Sequence, residues 1–156
     1  RRDTLDEMLD DLDAVAAEIA ANIAPAALRR LSALLPANAE VAQAVASRLK
    51  LSNAARRRLV LASERPGKPF ETAYRVGMES ALDRLLLAGE IEAAQALRDW
   101  PVPRLPVSGG DLVAAGIKAG PAVAAALRRV EDRWIDEGFP DEARTRAILA
   151  ELIRAS

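Results

Sequence analysis

The sequence has 156 residues with a formal net charge of −1, and 51% of its residues are apolar. It contains neither cysteine nor histidine, which excludes thiolate nucleophiles, imidazole bases and the usual zinc ligands. No apolar run approaches the roughly 20 residues that a membrane-spanning helix needs, and no signal-peptide pattern opens the chain. We therefore expect a cytoplasmic protein with no membrane partner.

The composition predicts an all-α fold. Alanine and leucine predominate, five residues are aromatic, and runs of β-branched residues are scarce, a pattern typical of helical proteins. We expect an irregular array of about eight or nine helices. The proline-rich segment 100–106 cannot be helical, so it divides a helical body (residues 1–100) from a helical tail (residues 101–156).

The first predicted helix, Thr4 to about Ala24, has an apolar stripe opposite an acidic face. The stripe consists of Leu5, Met8, Leu12, Val15, Ile19 and Ile23. Asp11 and Asp13 have a DxD spacing that some metal sites use, but residues two apart on a helix point about 200° away from each other. We therefore predict no metal site and a solvated acidic face.

The next three helices, predicted near residues 26–35, 38–49 and 53–63, carry the strongest charge asymmetry. Residues 26–75 hold ten basic and three acidic side chains, an excess of +7, whereas residues 1–25 hold two basic and seven acidic ones. Such an excess predicts an anionic partner. Alternatively, each cation lies on a solvated helix face. In the third of these helices, Arg57 should point to solvent, while Arg56 and Arg58 flank the buried stripe.

Three further body helices are predicted at Phe70–Val76, Met78–Ala88 and Ile91–Trp100. They follow a break at Arg65-Pro-Gly-Lys-Pro69, which is a loop on composition alone.

The tail is predicted to contain helices at Ser108–Ala115, Pro121–Glu137 and about Pro140–Arg154. Ser108 and Asp111 form a capping-box pair, and Gly116 stands where a helix end favours a left-handed residue. Gly120 and Pro121 open the next helix, whose free N–H groups beside Lys118 predict an anion site. The same residues also fit a plain αα-corner in which the glycines serve only the turn.

Two motifs in the tail resemble a known family. The run PxSGxDLxxxGxxxGPxVxxxL, residues 106–127, is followed by ExxWIxxGF at Glu131–Phe139. Together they resemble the tail of bacterial tRNA nucleotidyltransferases (CCA-adding enzymes) and their poly(A) polymerase relatives. The resemblance is dense over Leu105–Phe139 and looser over Ala27–Leu61. One departure is Gly110, where relatives often carry a larger and frequently basic side chain, so the backbone would have to make any phosphate contact there.

The resemblance implies a body and tail that hold tRNA without chemistry of their own. The head that carries the metal-binding carboxylates, and that would use Mg²⁺ with CTP and ATP, has no counterpart here, so we expect no catalytic residue, no metal and no cofactor in this chain. The scarcity of aromatic residues argues against base stacking. The residues predicted to contact RNA are Arg29, Arg30, Arg48, Lys50, Arg56, Arg57, Arg58, Lys118, Gly120 and Arg128.

Two other functions fit the same sequence. In one, the chain is a helical protein-interaction module whose acidic first helix pairs with a second copy or docks on the basic middle, which satisfies the charge asymmetry without RNA. In the other, the chain is an enzyme. Without histidine and cysteine it would need a carboxylate pair or an activated lysine, and no pocket-forming motif surrounds Lys50, Lys68 or Lys118.

Overall fold

A computed structural model describes the backbone of residues 4–64 and 66–156, and the side chains of residues 13–64 and 66–156. The described residues form ten helices and no strand, which confirms the all-α prediction. None of these helices has the length and apolarity to cross a bilayer. In chain order they are α1 Thr4–Ala21, α2 Ala27–Ala33, α3 Ala39–Arg48, α4 Asn53–Ala62, α5 Pro69–Val76, α6 Met78–Leu87, α7 Ile91–Arg98, α8 Gly109–Ala114, α9 Pro121–Asp136 and α10 Glu142–Arg154.

The chain divides into two compact units between Val102 and Pro103. This division falls in the proline-rich segment that the sequence marks as a boundary. We call residues 1–102 the body and residues 103–156 the tail.

Helix α6 is the centre of the body. Its residues from Ser80 to Leu86 are all buried, and it contacts α1, α2, α4, α5 and α7. The cluster around it combines Leu85, Leu86 and Leu97 with alanines from four helices, Ala17, Ala21, Ala73, Ala81 and Ala94. A second cluster joins α3 to α4 through Ala42, Ala46 and Leu59.

Alanines form most of the buried positions of α1 and α3, where the sequence predicts an aliphatic stripe for the first helix. Ile19 is 75% exposed, so the prediction that it faces inward is wrong, whereas Ile23 of the same stripe packs against the body core. At the end of α3, Leu49 is 56% exposed. Ala14, Ala17 and Ala21 on α1, and Ala42 and Ala46 on α3, are buried in their place. Small side chains let helices pack at close range, and the larger residues turn outward. Leu5, Met8, Leu12 and Asp11 lie outside the described side chains.

Local capping signals set several helix ends, including the two predicted in the tail at Ser108 and Gly116. Ser52 accepts a hydrogen bond from the Ala55 N–H at the start of α4, and Ser108 and Asp111 form a reciprocal capping box at α8. Gly116 closes α8 in the left-handed region, with φ +103°, where a side chain is disfavoured.

The tail has its own core, formed by α8, α9 and α10. Val130 of α9 packs in one cluster with Leu112 of α8 and Ile148 of α10, and all three side chains are buried. Trp134 of α9 is also buried. A Cβ at Gly109 would lie 3.2 Å from Val123 Cγ1, so glycine there permits the close approach of α8 to α9.

Four charged side chains link α9 and its end to α10 on the tail surface. Arg144 donates to Glu137 Oε2 at 2.7 Å and to Glu151 Oε1 at 2.9 Å, and Arg133 pairs with both carboxylates. Hydrogen bonds from Arg144 are the main reason that the pKa values of Glu137 and Glu151 lie below their ordinary value. Folding therefore favours the ionised carboxylates.

This linkage predicts acid-sensitive stability of the tail. The stabilisation is complete above the unfolded pKa of about 4.3 and is lost as pH falls through the lower folded values. We expect the midpoint of thermal unfolding of the tail to drop between pH 7 and pH 3, followed by the fluorescence of Trp134 in a Trp100→Phe background that leaves it as the one tryptophan. The drop should be smaller in Glu137→Gln/Glu151→Gln, and Glu142→Gln serves as the control. A double variant that loses as much in acid as the wild type would contradict the prediction.

Candidate nucleic-acid interface

Arg29 is one of the seven predicted RNA-binding cations of the body, and it lies in the core. The residue is 3% exposed. Its Nη1 donates to Glu18 Oε1 at 2.8 Å and its Nε donates to Asp83 Oδ1 at 2.9 Å. Arg29 is therefore a buried and paired core residue, and the seven cations do not share one outer face.

Arg30 and Arg58 bind the same two carboxylates from the partly exposed edge. Arg30 Nη2 donates to Glu18 Oε2 at 2.9 Å. Arg58 donates to Asp83 through Nε at 2.7 Å and through Nη2 at 3.0 Å. We call the five residues Glu18, Arg29, Arg30, Arg58 and Asp83 the buried charge cluster. Because their cationic groups are already engaged, Arg29, Arg30 and Arg58 have little to offer an external phosphate.

The pKa directions agree with this pairing. Burial by itself would raise the pKa of Glu18, but hydrogen bonds from Arg30, the Ala26 N–H and Arg29 outweigh it, so its pKa lies below the ordinary value. Hydrogen bonds to Asp83 raise the pKa of Arg58. The cluster ties α1, α2, α4 and α6 together through ionised groups.

Four other predicted cations lie on α3, α4 and the turn between them, and they are not engaged in this way. Within the described residues, none of them makes an ion pair or a side-chain hydrogen bond. We call them the hairpin patch: Arg48, Lys50, Arg56 and Arg57. Elsewhere in the described body, Lys68 is likewise unpaired, whereas the arginines are engaged by carboxylates or carbonyls: Arg29, Arg30, Arg58, Arg75, Arg84 and Arg98.

The members of the hairpin patch differ in accessibility. Arg48, Lys50 and Arg57 are exposed. Arg56 is half-buried, and its Nε is buried without a hydrogen-bond partner among the described residues. The prediction that Arg57 points to solvent while Arg56 and Arg58 flank the core is confirmed.

Helices α3 and α4 form a short αα-hairpin whose turn is at residues 49–52. No acidic residue occurs between positions 41 and 63; the nearest are Glu40, at the start of α3, and Glu64, beyond the end of α4. Both flank the end of the hairpin opposite the turn. The turn holds both the C-terminus of α3 and the N-terminus of α4, whose partial charges have opposite signs, so the positive charge there comes from the side chains. This run free of acidic residues sets Arg48, Lys50, Arg56 and Arg57 apart from Arg29 and Arg30, but it also contains Arg58, which the fold pairs with Asp83.

In the tail, the predicted residues are exposed but only partly brought together. Lys118 and Gly120 precede α9 and are exposed, Gly120 has φ +120°, and no side chain caps the helix. Arg128 lies eight residues after Gly120, which is about 12 Å along the helix axis. Asp132, one turn further along α9, lowers the local positive potential there. Lys118 and the start of α9 therefore form the tail's candidate anion site, with Arg128 at its margin.

The body also has an open groove of about 650 Å³ between α1 and the C-terminal ends of α2, α4 and α6. Alanines make up much of its lining, and Asp13 is its one titratable side chain among the described residues.

Comparisons with known proteins gave no match: no protein-family model, no curated protein and no solved structure is similar to this chain.

Proposed function

We propose that this chain is a non-catalytic RNA-binding region that holds the sugar–phosphate backbone of tRNA through the hairpin patch. The observation that carries the proposal is selective pairing. The arginines elsewhere in the described body are engaged internally, whereas Arg48, Lys50 and Arg57 are exposed and unpaired on a segment without acidic residues. Exposed, unpaired cations suit phosphate contacts, which position an RNA without reading its sequence.

The choice of tRNA rests on the resemblance of residues 105–139 to the tail of CCA-adding enzymes. On this proposal the parent protein is a cytoplasmic tRNA nucleotidyltransferase of the poly(A) polymerase family, and the Mg²⁺ and nucleotide belong to a catalytic head. Lys118, the Gly120 backbone and Arg128 would give the tail a second phosphate contact, weaker than the first because Asp132 lies beside Arg128.

Salt dependence of tRNA binding tests the proposal. If the four cations of the hairpin patch each neutralise one phosphate, log Kd should change with log salt with a slope of about 3. Arg48→Gln/Arg57→Gln should weaken binding by about tenfold or more and lower that slope by about 2. Binding is measured by fluorescence anisotropy of labelled tRNA at several salt concentrations.

The matched control removes the same amount of charge elsewhere. Lys68 and Arg104 are exposed and have no ion pair among the described residues, so Lys68→Gln/Arg104→Gln should change affinity by less than about twofold. Equal losses of tRNA affinity in the two double variants would mean that total positive charge, and not the hairpin patch, determines binding. Absence of tRNA binding together with dimerisation of the wild type would favour the interaction module instead.

A further inference from the structure

The turn of the α3–α4 hairpin has a backbone feature that separates Lys50 from the other cations. Five described helices end in the same two-bond closure, in which a left-handed residue and the residue after it donate to carbonyls of the last helical turn. At Lys50 these bonds run from Lys50 N to Ser47 O at 3.1 Å and from Leu51 N to Ala46 O at 3.0 Å. The left-handed residues in the five closures are Asn22, Lys50, Gly89, Gly116 and Gly138.

Lys50 is the exception in this set. Three closures use glycine and one uses asparagine, the residue types that tolerate positive φ. Lysine at φ +53° has a Cβ that clashes with the neighbouring backbone, so glycine at this position would make the fold more stable. The fold itself supplies no reason for lysine, since the side chain is exposed and has no ion pair or hydrogen bond within the described residues.

The two residues before Lys50 are also exposed, and we call Arg48, Leu49 and Lys50 the tip of the hairpin. Leu49 is 56% exposed, and in the sequence it stands between Arg48 and Lys50, which are both exposed. An apolar side chain between two cations complements a surface where phosphates flank the apolar faces of sugars. An acidic protein surface would match the cations, but it would not require Leu49.

The hairpin also indicates which form of RNA it suits. Residues 39–63 contain no aromatic side chain, so the tip offers no platform on which unpaired bases can stack. Double-helical RNA presents a shallow minor groove that proteins recognise by shape, ribose and phosphate. Exposed lysine, leucine and arginine side chains at the turn fit that surface.

We propose that the tip formed by Arg48, Leu49 and Lys50 contacts the backbone and minor groove of double-helical RNA, and that Lys50 keeps its unfavourable backbone conformation for this contact. This inference rests on the proposed RNA-binding function and specifies the form of RNA bound. It predicts opposite effects of one substitution: Lys50→Gly should make the protein more stable and its RNA binding weaker.

The experiment uses the full chain with two labelled RNAs, a hairpin with a stem of about 16 base pairs and an unstructured strand of equal length. The wild type should bind the stem at least about threefold more tightly than the strand. Lys50→Gln should weaken stem binding by about three- to tenfold. Lys50→Gly should bind the stem as weakly as Lys50→Gln does, but its unfolding midpoint should lie about 2–4 °C above that of Lys50→Gln. Asn22→Gly, a change at the equivalent position of α1, should leave stem binding unchanged.

The outcomes separate this inference from the proposed function. If Lys50→Gln binds the stem like the wild type while Arg48→Gln/Arg57→Gln is weakened, the contact by Lys50 is refuted and the RNA-binding function stands. Equal binding of stem and strand, or equally effective competition by polyglutamate, would overturn the double-helical partner. If Lys50→Gly is no more stable than Lys50→Gln, the stability argument fails. If the wild type binds neither RNA, the proposed function itself fails.

Discussion

Asp83→Ala is expected to lower the free energy of unfolding of the body by about 3–5 kcal/mol. Asp83 is fully buried and accepts hydrogen bonds from Arg29 Nε and from two nitrogens of Arg58. Its removal leaves the buried guanidinium of Arg29 with one carboxylate fewer, and the protein loses the pairing without recovering hydration. Urea unfolding measures the loss through the fluorescence of Trp100, which packs against the body core, in a Trp134→Phe background that removes the signal of the tail.

Two further variants test whether uncompensated charge causes this loss. In Asp83→Ala/Arg29→Met the uncompensated cation is gone, so the loss should be at least about 1 kcal/mol smaller than the sum of the two single losses. Asp99→Ala removes a carboxylate that is 76% exposed and pairs with Arg98, and it should change stability by no more than about 0.5 kcal/mol. Additive losses, or a cost below about 1 kcal/mol for Asp83→Ala, would be inconsistent with a buried charge cluster.

The buried charge cluster could not be predicted from the sequence, whereas local features could. Caps and helix ends at Ser52, Ser108 and Gly116 were predictable because each depends on residues within one helical turn. The pairing of Arg29 with Asp83 spans 54 positions, and no pattern of residues near either one indicates it. Counting charges along the chain correctly located a basic segment. It could not separate the arginines that form ion pairs inside the body from the exposed cations of the hairpin patch.

The choice of core face failed for a related reason. The periodicity of α1 favours Ile19 as an inward residue, because hydrophobicity scales rank isoleucine above alanine. The structure buries Ala14, Ala17 and Ala21 instead, since close helix packing selects small side chains. Glu18, on the same face, must reach Arg29 and Arg30 of α2. The presence and position of each helix follow from the spacing of residues in the sequence. Which face of the helix is buried depends on the neighbouring helices, and local spacing does not show how closely they pack.

The tail depends on one side chain to a greater extent than the body does. Trp134→Ala should cost about 3–5 kcal/mol. Trp134 is buried, its Nε1 donates to the Pro140 carbonyl at 2.9 Å, and its ring packs edge-on against Phe139 with centroids 5.0 Å apart. A small helical unit has only a few kcal/mol of stability, so this loss should unfold the tail. Amide hydrogen exchange should show protection lost across α8, α9 and α10.

Trp134→Phe separates the two contributions of the indole. It keeps most of the buried ring but leaves the Pro140 carbonyl without its donor, so the expected cost is about 1–2 kcal/mol. Val113→Ala, on the exposed face of α8, should change the exchange of the tail by less than about 0.5 kcal/mol. Protection of α9 and α10 in Trp134→Ala equal to that in the wild type would mean that the tail core does not depend on the indole. Because Lys118 and Gly120 lie between α8 and α9, the same variant should also abolish any phosphate contact that the tail makes, while the hairpin patch of the body would retain its own.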